Sequence, residues 1–160
     1  MAPVTLVPMT VPEFDDYLDK SIRNYAAEKI RAGAWLENDA YRLATEQFDK
    51  LLPQGIDTVN QHLYSVTDAA RRNRVGIIWV GVKDRSPVPG AWIWDIMIFE
   101  QYRRKGYASE TLRALDRVLS SMNIHSVSLH VFGHNAPAIS LYQNSGFRTM
   151  DITMTKSVTR

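Results

Sequence analysis

The sequence contains no cysteine among its 160 residues, which excludes disulfide bonds, thiolate metal sites and cysteine nucleophiles. It also lacks an apolar run approaching the roughly 20 residues of a membrane-spanning helix. The longest candidate, residues 92–99, is short and interrupted by Asp95. The first residues have neither the basic start nor the apolar core of a signal peptide. We therefore expect a cytoplasmic protein that makes no contact with a membrane.

Neither sign of charge dominates, because 19 Lys and Arg residues against 17 Asp and Glu residues give a formal net charge of +2. A dedicated nucleic-acid-binding domain would be more basic, so the basic cluster at residues 71–74 is predicted to be a solvated turn. The sequence shows no internal repeat, low-complexity tract or linker between domains. Residues 1–160 are therefore predicted to form one domain, a length that can bury roughly 70% of the surface exposed on unfolding.

The first third of the chain is predicted to form a short strand followed by two helices. Thr10 and Glu13 have the spacing of a capping box, and apolar residues then recur every fourth position until Gly33. A second helix is predicted from Asn38 until Pro53 closes it. The joint between the two helices carries Trp35.

The remainder alternates between strand and helix patterns. Strands are predicted at residues 62–67, 75–82, 91–99 and 127–132, helices at 107–122 and 135–144, and a final strand or hairpin at 147–158. The resulting order is β-α-α-β-β-β-α-β-α-β. This order predicts the α/β class, with one central mixed, partly antiparallel sheet.

The turn at residues 103–108 lies between a predicted buried strand and a predicted amphipathic helix, and its six residues are Arg103, Arg104, Lys105, Gly106, Tyr107 and Ala108. The first amides of a helix have no partner within the helix, and together with the helix dipole they attract anions. Three adjacent cations suit a diphosphate or a sugar phosphate. The alternative is a tight turn with solvated basic residues. The turn is neither a Walker loop nor a dinucleotide fingerprint, because it lacks Gly-Lys-Ser/Thr and has one glycine.

A second segment, residues 129–147 (LHVFGHNAPAISLYQNSGF), follows the last predicted core strand. With it, the chain resembles the GNAT superfamily of acetyl-CoA-dependent N-acetyltransferases, of the small single-domain type found in bacteria. The family's Gln/Arg-x-x-Gly-x-Gly/Ala turn is matched by residues 103–108. Its Asn, Ala, Leu-Tyr and Gly-Phe positions are matched in order by the following residues: Asn135, Ala138, Leu141, Tyr142, Gly146 and Phe147.

The resemblance implies an enzyme that moves an acetyl group from acetyl-CoA to a primary amine by direct attack. By similarity, the amides of the 103–108 turn would hold the CoA pyrophosphate. The backbone around Ile98 would pair with the pantetheine arm, and Asn135 would lie beside that arm. Asn135 also fits an N-cap, with Pro137 just inside the helix, and the two roles are compatible.

Tyr142 is the catalytic residue that the resemblance implies. A phenol with a reference pKa near 10 is protonated at pH 7 and can donate a proton to the departing CoA thiolate. The structural alternative is a core aromatic of a short helix, and the spacing from Asn135 to the Gly146-Phe147 pair favours the acid.

The general base stays open. Several relatives carry Glu or His at fourth-strand positions that align here with Trp92 and Trp94, and tryptophan cannot accept a proton from an ammonium. Asp95 and Glu100 are the nearby carboxylates, and water or no base are further alternatives. Strict strand alternation aims Asp95 away from Trp94, so a structural role with compensating partners is favoured for Asp95.

The acceptor pocket is predicted to involve the helix joint and the fourth strand, with Glu28, Trp35, Trp92 and Trp94 as its candidate residues. An acidic and aromatic lining suits a cationic amine. The alternative is that these aromatics are core residues and Glu28 is solvated. His130 and His134 lack carboxylates at ligand spacing, so no metal is expected.

A second functional hypothesis is a non-catalytic CoA-binding or regulatory module on the same fold. The tryptophans at the usual base positions favour it, and Tyr142 opposes it. The sequence leaves open whether the acceptor is a small amine, an amino acid, an antibiotic or a protein, and it leaves the acyl length open as well. Exposed strand edges would also permit a homodimer.

Overall fold

The computed structural model describes residues 3–83 and 87–159. The described residues form five strands and four α-helices: β1 (Val4–Pro8), α1 (Val11–Arg31), α2 (Glu37–Leu51), β2 (Gln61–Asp68), β3 (Arg74–Lys83), β4 (Gly90–Ile98), α3 (Tyr107–Ser121), β5 (Val127–Leu129) and α4 (Ala136–Asn144). Single turns of 3-10 helix lie at Gly55–Asp57 and Glu100–Tyr102. The predicted mixed α/β class is confirmed. None of the helices in the described part of the chain is long and apolar enough to cross a bilayer.

The five strands form one sheet in the order β1-β2-β3-β4-β5. Successive pairs from β1 to β4 are antiparallel, and β5 is parallel to β4. Strand alternation sends Ile78 and Val80 of β3 toward α3, while Ile77 and Trp79 pack against α1. The sheet therefore separates two apolar layers, with α3 on one face and the α1–α2 pair on the other.

Helix α1 begins where the capping box predicts. The Thr10 side chain accepts from the Glu13 amide at 3.3 Å, and the Thr10 amide donates to the Glu13 carboxylate at 2.9 Å. These two reciprocal bonds satisfy amides that the first helical turn cannot pair internally. The start of the helix that covers β4 is thus fixed by local sequence.

Strand β4 contains a bulge that strict alternation does not predict. Asp95 pairs with Trp79 and Ile93 pairs with Val80, so Trp94 is an extra residue between the two pairs. A bulge leaves one residue unpaired and re-aims the side chains that follow it. The prediction that Asp95 points away from Trp94 was therefore wrong, because the bulge places both side chains on the α1–α2 face.

The β4–β5 pair separates soon after it forms. Pairing joins Ala91–Ile93 to Val127–Leu129 and covers three residues of each strand. Strand β5 is therefore shorter than the predicted strand at residues 127–132. Beyond Ile93 a gap opens between β4 and the chain that leads to α4.

The C-terminal segment differs from the prediction of a final strand or hairpin at residues 147–158. The described residues from 147 to 159 form no helix or strand, and Met150, Ile152 and Met154 are exposed. Their alternation with polar residues resembles a strand pattern. Alternation alone does not make a strand, because a strand needs a second backbone that completes its hydrogen bonds.

Gly76 supplies a prediction about the stability of this sheet. A Cβ at this position of β3 would lie 2.2 Å from the Met97 carbonyl oxygen, a backbone atom of the neighbouring strand. We expect Gly76→Ala to lower the free energy of unfolding by about 3 kcal/mol, as overpacking of a close-packed interior does. Urea denaturation measures this loss.

The matched control is Gly133→Ala. A Cβ there would meet nothing within 4 Å, and Gly133 is exposed. We expect its free energy of unfolding to change by less than about 1 kcal/mol. Equal effects of the two substitutions would show that the close approach of β3 and β4 does not limit stability.

Candidate functional site

The turn before α3 has a backbone conformation that suits an anion. Arg104 and Gly106 both have left-handed backbones, with φ of 60° and 85°. A non-glycine residue in this region is uncommon, and successive amides in such turns form an anion-binding concavity. None of Arg103, Arg104 and Lys105 forms a salt bridge with a carboxylate among the described residues. The turn therefore offers amides and cations for an anionic group.

Tyr107 fixes the position of this turn through its side chain. Its ring is buried, and its hydroxyl donates to Asp68 at 2.5 Å. Asp68 also accepts from the amides of Ala70 and Arg71, each at 2.9 Å. The hydrogen bond from Tyr107 is the main cause that lowers the pKa of Asp68. Because the Tyr107 side chain is buried and bonded to Asp68, Tyr107 can contact a ligand only through its backbone at the N-terminus of α3.

Ile98 presents its backbone to the gap between β4 and β5. The Phe99 amide donates to the Val75 carbonyl on β3 at 2.8 Å. Because consecutive residues of a strand direct their backbone groups to opposite sides, the Ile98 groups face away from β3. The Arg103 side chain donates to the Ile98 carbonyl at 2.9 Å and so joins the basic turn to the end of β4. The gap and the turn thus form one continuous region.

Helix α4 borders the same region. The Asn135 side chain accepts from the Ala138 amide at 3.3 Å, which is the N-cap that the sequence suggests. Tyr142 is half-buried, and its ring packs edge-on against Phe147 with centroids 5.6 Å apart. Burial, and then the negative charge of Asp95, raises the pKa of Tyr142. Its hydroxyl is therefore protonated at neutral pH and can act as a proton donor.

The α1–α2 side of β4 carries a face that we name the aromatic face of β4, which comprises Trp92, Trp94, Asp95 and Met97. The indole of Trp94 lies 5.8 Å from the Trp79 ring and 6.1 Å from the Trp92 ring, measured between centroids. Through Trp79 these rings continue to Phe48 and Tyr25 of the helix pair. An aromatic run therefore connects the helix pair with β4.

Asp95 is the carboxylate of this face. Tyr17 on α1 donates its hydroxyl to Asp95 at 2.7 Å. Burial raises the pKa of Asp95, the Tyr17 hydrogen bond lowers it, and the negative charge of Glu28 raises it, with a net increase. Burial and the Asp95 charge also raise the pKa of Tyr17. Asp95 is thus a carboxylate that binds a proton more readily than an exposed one does.

The structure separates the predicted acceptor residues into two groups. Trp92 and Trp94 lie together on the aromatic face of β4, whereas Trp35 packs edge-on against Tyr25 at 5.5 Å in the helix-pair core. Glu28 is exposed on α1 and reaches Asp95 through its charge. The rings of Tyr25, Phe48 and Trp79 lie in series between Trp35 and β4.

Other candidate side chains lie outside this cluster. Glu100 begins the 3-10 turn after β4 and is exposed. His130 and His134 flank Phe132, with ring centroids 5.1 and 5.5 Å from it. Within residues 3–83 and 87–159, no group of three or more histidine or acidic side chains could hold a metal ion.

Sequence reasoning missed Tyr17 and Asp68. A carboxylate in an apolar strand needs a hydrogen-bond partner, and Tyr17 lies on the buried stripe of α1. That requirement could have indicated a hydroxyl from a covering helix. Asp68 had no comparable signal, because its partner Tyr107 is 39 positions away.

Comparisons with known proteins show that the chain is similar to acetyltransferases. The model of the GNAT acetyltransferase family matches residues 25–147. The uncharacterized N-acetyltransferase YycN of Bacillus subtilis is 41% identical over 155 residues, which cover 97% of this chain and 99% of YycN. A spermidine N(1)-acetyltransferase of Vibrio cholerae is 28% identical over 64% of this chain and 60% of its own length.

Solved structures agree with this similarity. The crystal structure of the Bacillus subtilis acetyltransferase YycN has a TM-score of 0.87 and 40% identity, covering 98% of this chain and 99% of its own. The aminoglycoside 6'-N-acetyltransferase AAC(6')-Ih of Acinetobacter baumannii has a TM-score of 0.59 at 12% identity, covering 98% and 99%. The second similarity shows a shared fold.

Proposed function

The chain belongs to the GNAT family of acetyltransferases, and we propose that it moves an acetyl group from acetyl-CoA to a primary amine by direct attack. The observation that carries this proposal is the gap between β4 and β5, which pair over only three residues each. Two further observations support it: Arg104 and Gly106 before α3 have left-handed backbones that suit an anion, and Tyr142 packs in the same apolar layer as Ile96 and Ile98 of β4. In this proposal the turn holds phosphate and Tyr142 donates a proton beside one open strand edge.

The residues present fit the chemical parts of acetyl-CoA. The amides of Arg104, Lys105, Gly106 and Ala108 suit the anionic pyrophosphate, with the cations of the turn beside them. The backbone of Ile98 suits the amide groups of the pantetheine arm. Asn135, at the N-cap of α4, is proposed to lie beside the pantetheine arm. When bound, acetyl-CoA supplies a thioester activated toward an amine nucleophile.

Two side chains supply the proton transfers in our proposal. Tyr142 is the general acid, because its raised pKa keeps the phenol protonated until a thiolate departs. Asp95 is the general base, because the bulge at Trp94 turns it to the face where relatives place their base. The raised pKa of Asp95 makes it a stronger base than an exposed aspartate. Glu100 is the weaker candidate, since it is exposed beyond the strand.

A non-catalytic CoA-binding module is the second candidate function. Trp92 and Trp94 occupy the positions where several relatives carry a Glu or His that serves as general base, and this favours the module. Asp95 on the same face, paired with Tyr17, opposes it. An assay for acetylation of any amine separates the two functions.

The binding part of the proposal predicts a thermal shift. We expect acetyl-CoA and CoA to stabilise the protein and ATP to do so much less, because ATP lacks the pantetheine arm. A ligand at about 100 times its dissociation constant adds about 2.7 kcal/mol. For a chain of this size that corresponds to an increase in melting temperature of about 5–10 °C.

Charge reversal in the turn provides the matched test. Arg104→Glu should abolish most of the shift, whereas Arg117→Glu, at an exposed position of α3, should leave it intact. If acetyl-CoA, CoA and ATP raise the melting temperature equally, the turn is a general phosphate site that does not recognise the pantetheine arm. The absence of any shift at saturating CoA would contradict the proposed cosubstrate.

A further inference from the structure

The aromatic face of β4 exposes apolar surface around its carboxylate. The side chain of Trp94 is 43% exposed and that of Met97 is 37% exposed, although both belong to a strand inside the sheet. Asp95 lies between them in sequence and shares their face. Exposed apolar side chains that adjoin one carboxylate are typical of a ligand site rather than of ordinary solvent-facing surface.

The largest of these side chains is held in a fixed orientation. The indole of Trp94 lies so close to Gly81 that a Cβ there would be 2.8 Å from its Nε1 atom. Trp79 contacts the indole at an interplanar angle of 34°, and Trp92 contacts it at 60°. Trp79 is itself fixed by a 2.7 Å hydrogen bond to Gln61. Trp94 is therefore a preorganised flat surface, which loses little conformational freedom when a ligand binds.

The charges of this face suit one ammonium group. The negative charge of Asp95 acts on the proposed acid Tyr142 and raises its pKa. Glu28 is the further carboxylate whose charge acts on Asp95. An amine bound at Asp95 would extend over Trp94, Trp92 or Met97. A second ammonium could make a cation–π contact with these indoles but would leave the apolar surface of Met97 uncovered, whereas an aromatic or large apolar group would cover both.

We infer that the acceptor is a primary monoamine carrying an aromatic or large apolar group, with its amine at Asp95 and its apolar part on Trp94. This inference rests on the acetyl transfer proposed above. It distinguishes this chain from the spermidine acetyltransferase relative, whose substrate is a linear polyamine. The apolar group of the acceptor would lie on the aromatic face of β4, whose side chains the bulge brings together.

The test compares acceptors that share one amine and differ in the attached group. Acetylation kinetics are measured with phenylethylamine, with ethylamine as the matched amine without a ring, and with spermidine. We expect kcat/KM for phenylethylamine to exceed that of each other amine by about tenfold or more, the discrimination that an apolar contact gives.

Substitution of Trp94 shows whether this indole contacts the apolar group of the acceptor directly or affects acetylation of every amine equally. Trp94→Ala should lower kcat/KM for phenylethylamine about tenfold more than it lowers kcat/KM for ethylamine, chiefly through KM, and leave the CoA thermal shift unchanged. Trp94→Phe should restore most of the loss. Tyr41→Ala is the control, because that aromatic is 50% exposed on α2 and its ring lies under Arg23.

Each outcome decides a different claim. A preference for spermidine, or an unchanged preference in Trp94→Ala, overturns the acceptor class while acetyl transfer stands. CoA binding without acetylation of phenylethylamine also overturns the acceptor class. If the protein neither binds CoA nor acetylates any of the three amines, that result contradicts the proposed function itself and the acceptor class with it.

Discussion

Tyr142→Phe should lower kcat by about 100-fold or more and leave the stabilisation by CoA unchanged, because general acid catalysis contributes about that factor. The phenol oxygen is the one group that the substitution removes. The ring that packs against Phe147 is retained, so the half-buried position on α4 stays filled. Acetylation kinetics and a thermal shift with CoA, measured on the same preparation, separate lost chemistry from lost binding.

The matched control is Tyr64→Phe. This tyrosine packs in the same apolar layer, and burial raises its pKa as well, but it lies on β2. We expect its kcat to stay within about twofold of the wild type, as for substitutions outside a reacting centre. Unchanged kcat in Tyr142→Phe would contradict the acid role. An equal loss in Tyr64→Phe would attribute the effect to packing.

The pH dependence tests the same assignment. Burial and the charge of Asp95 both raise the pKa of Tyr142 above its ordinary value near 10. An acid must be protonated to act, so kcat should be maintained up to about pH 10 and fall only above it. In Tyr142→Phe this high-pH fall should disappear from the residual activity. A fall near neutral pH in the wild type would indicate a different acid.

Local chemistry made much of the fold predictable. The Thr10 and Glu13 capping box fixed the start of α1, and Gly106 marked the turn before α3, where its φ is 85°. Asn135 with Pro137 likewise marked the start of α4. Each of these signals lies within a few residues of the structure that it specifies. The order of strands and helices could be predicted from such local signals together with the spacing of apolar residues along the chain.

The chemistry of β4 was not predictable in the same way. The bulge at Trp94 depends on the register between β3 and β4, and no short stretch of sequence encodes that register. The Tyr17–Asp95 hydrogen bond joins residues 78 positions apart. In residues 147–159 the local pattern was misleading: apolar and polar residues alternate as in a strand, but no strand among the described residues pairs with them. Site features that depend on long-range pairing required the structure.

Asp95→Asn should lower kcat/KM by about 100-fold or more, because an amide cannot accept the proton of an attacking ammonium. The same substitution should keep or raise the free energy of unfolding at pH 7. The sign follows from the raised pKa: a carboxyl that prefers its protonated form in the folded state destabilises the fold as pH rises above its unfolded pKa. Asparagine removes that charge and can still accept from Tyr17.

This combination distinguishes a base from a structural carboxylate. A purely structural Asp95 would keep its turnover in Asp95→Asn, whereas a base would lose turnover although the protein remains folded. Glu100→Gln tests the rival base, and we expect it to change kcat/KM by less than about twofold. A large loss in Glu100→Gln with none in Asp95→Asn would transfer the role to Glu100. Acetylation kinetics and urea denaturation measure both quantities.

If Asp95 is the base, kcat/KM should fall at low pH as Asp95 is protonated, and this fall is the low-pH limb of the profile. Substitutions of Tyr17 and Glu28 should move that limb in opposite directions. The Tyr17 hydrogen bond lowers the pKa of Asp95, so Tyr17→Phe should raise that pKa and shift the limb to higher pH. The Glu28 charge raises the pKa of Asp95, so Glu28→Gln should lower it and shift the limb to lower pH. The acceptor and its own titration are the same in both variants, so opposite shifts can arise only from a group on the enzyme whose pKa both neighbours affect. Shifts in the same direction, or none, would assign the limb to the acceptor and leave Asp95 without the role of base.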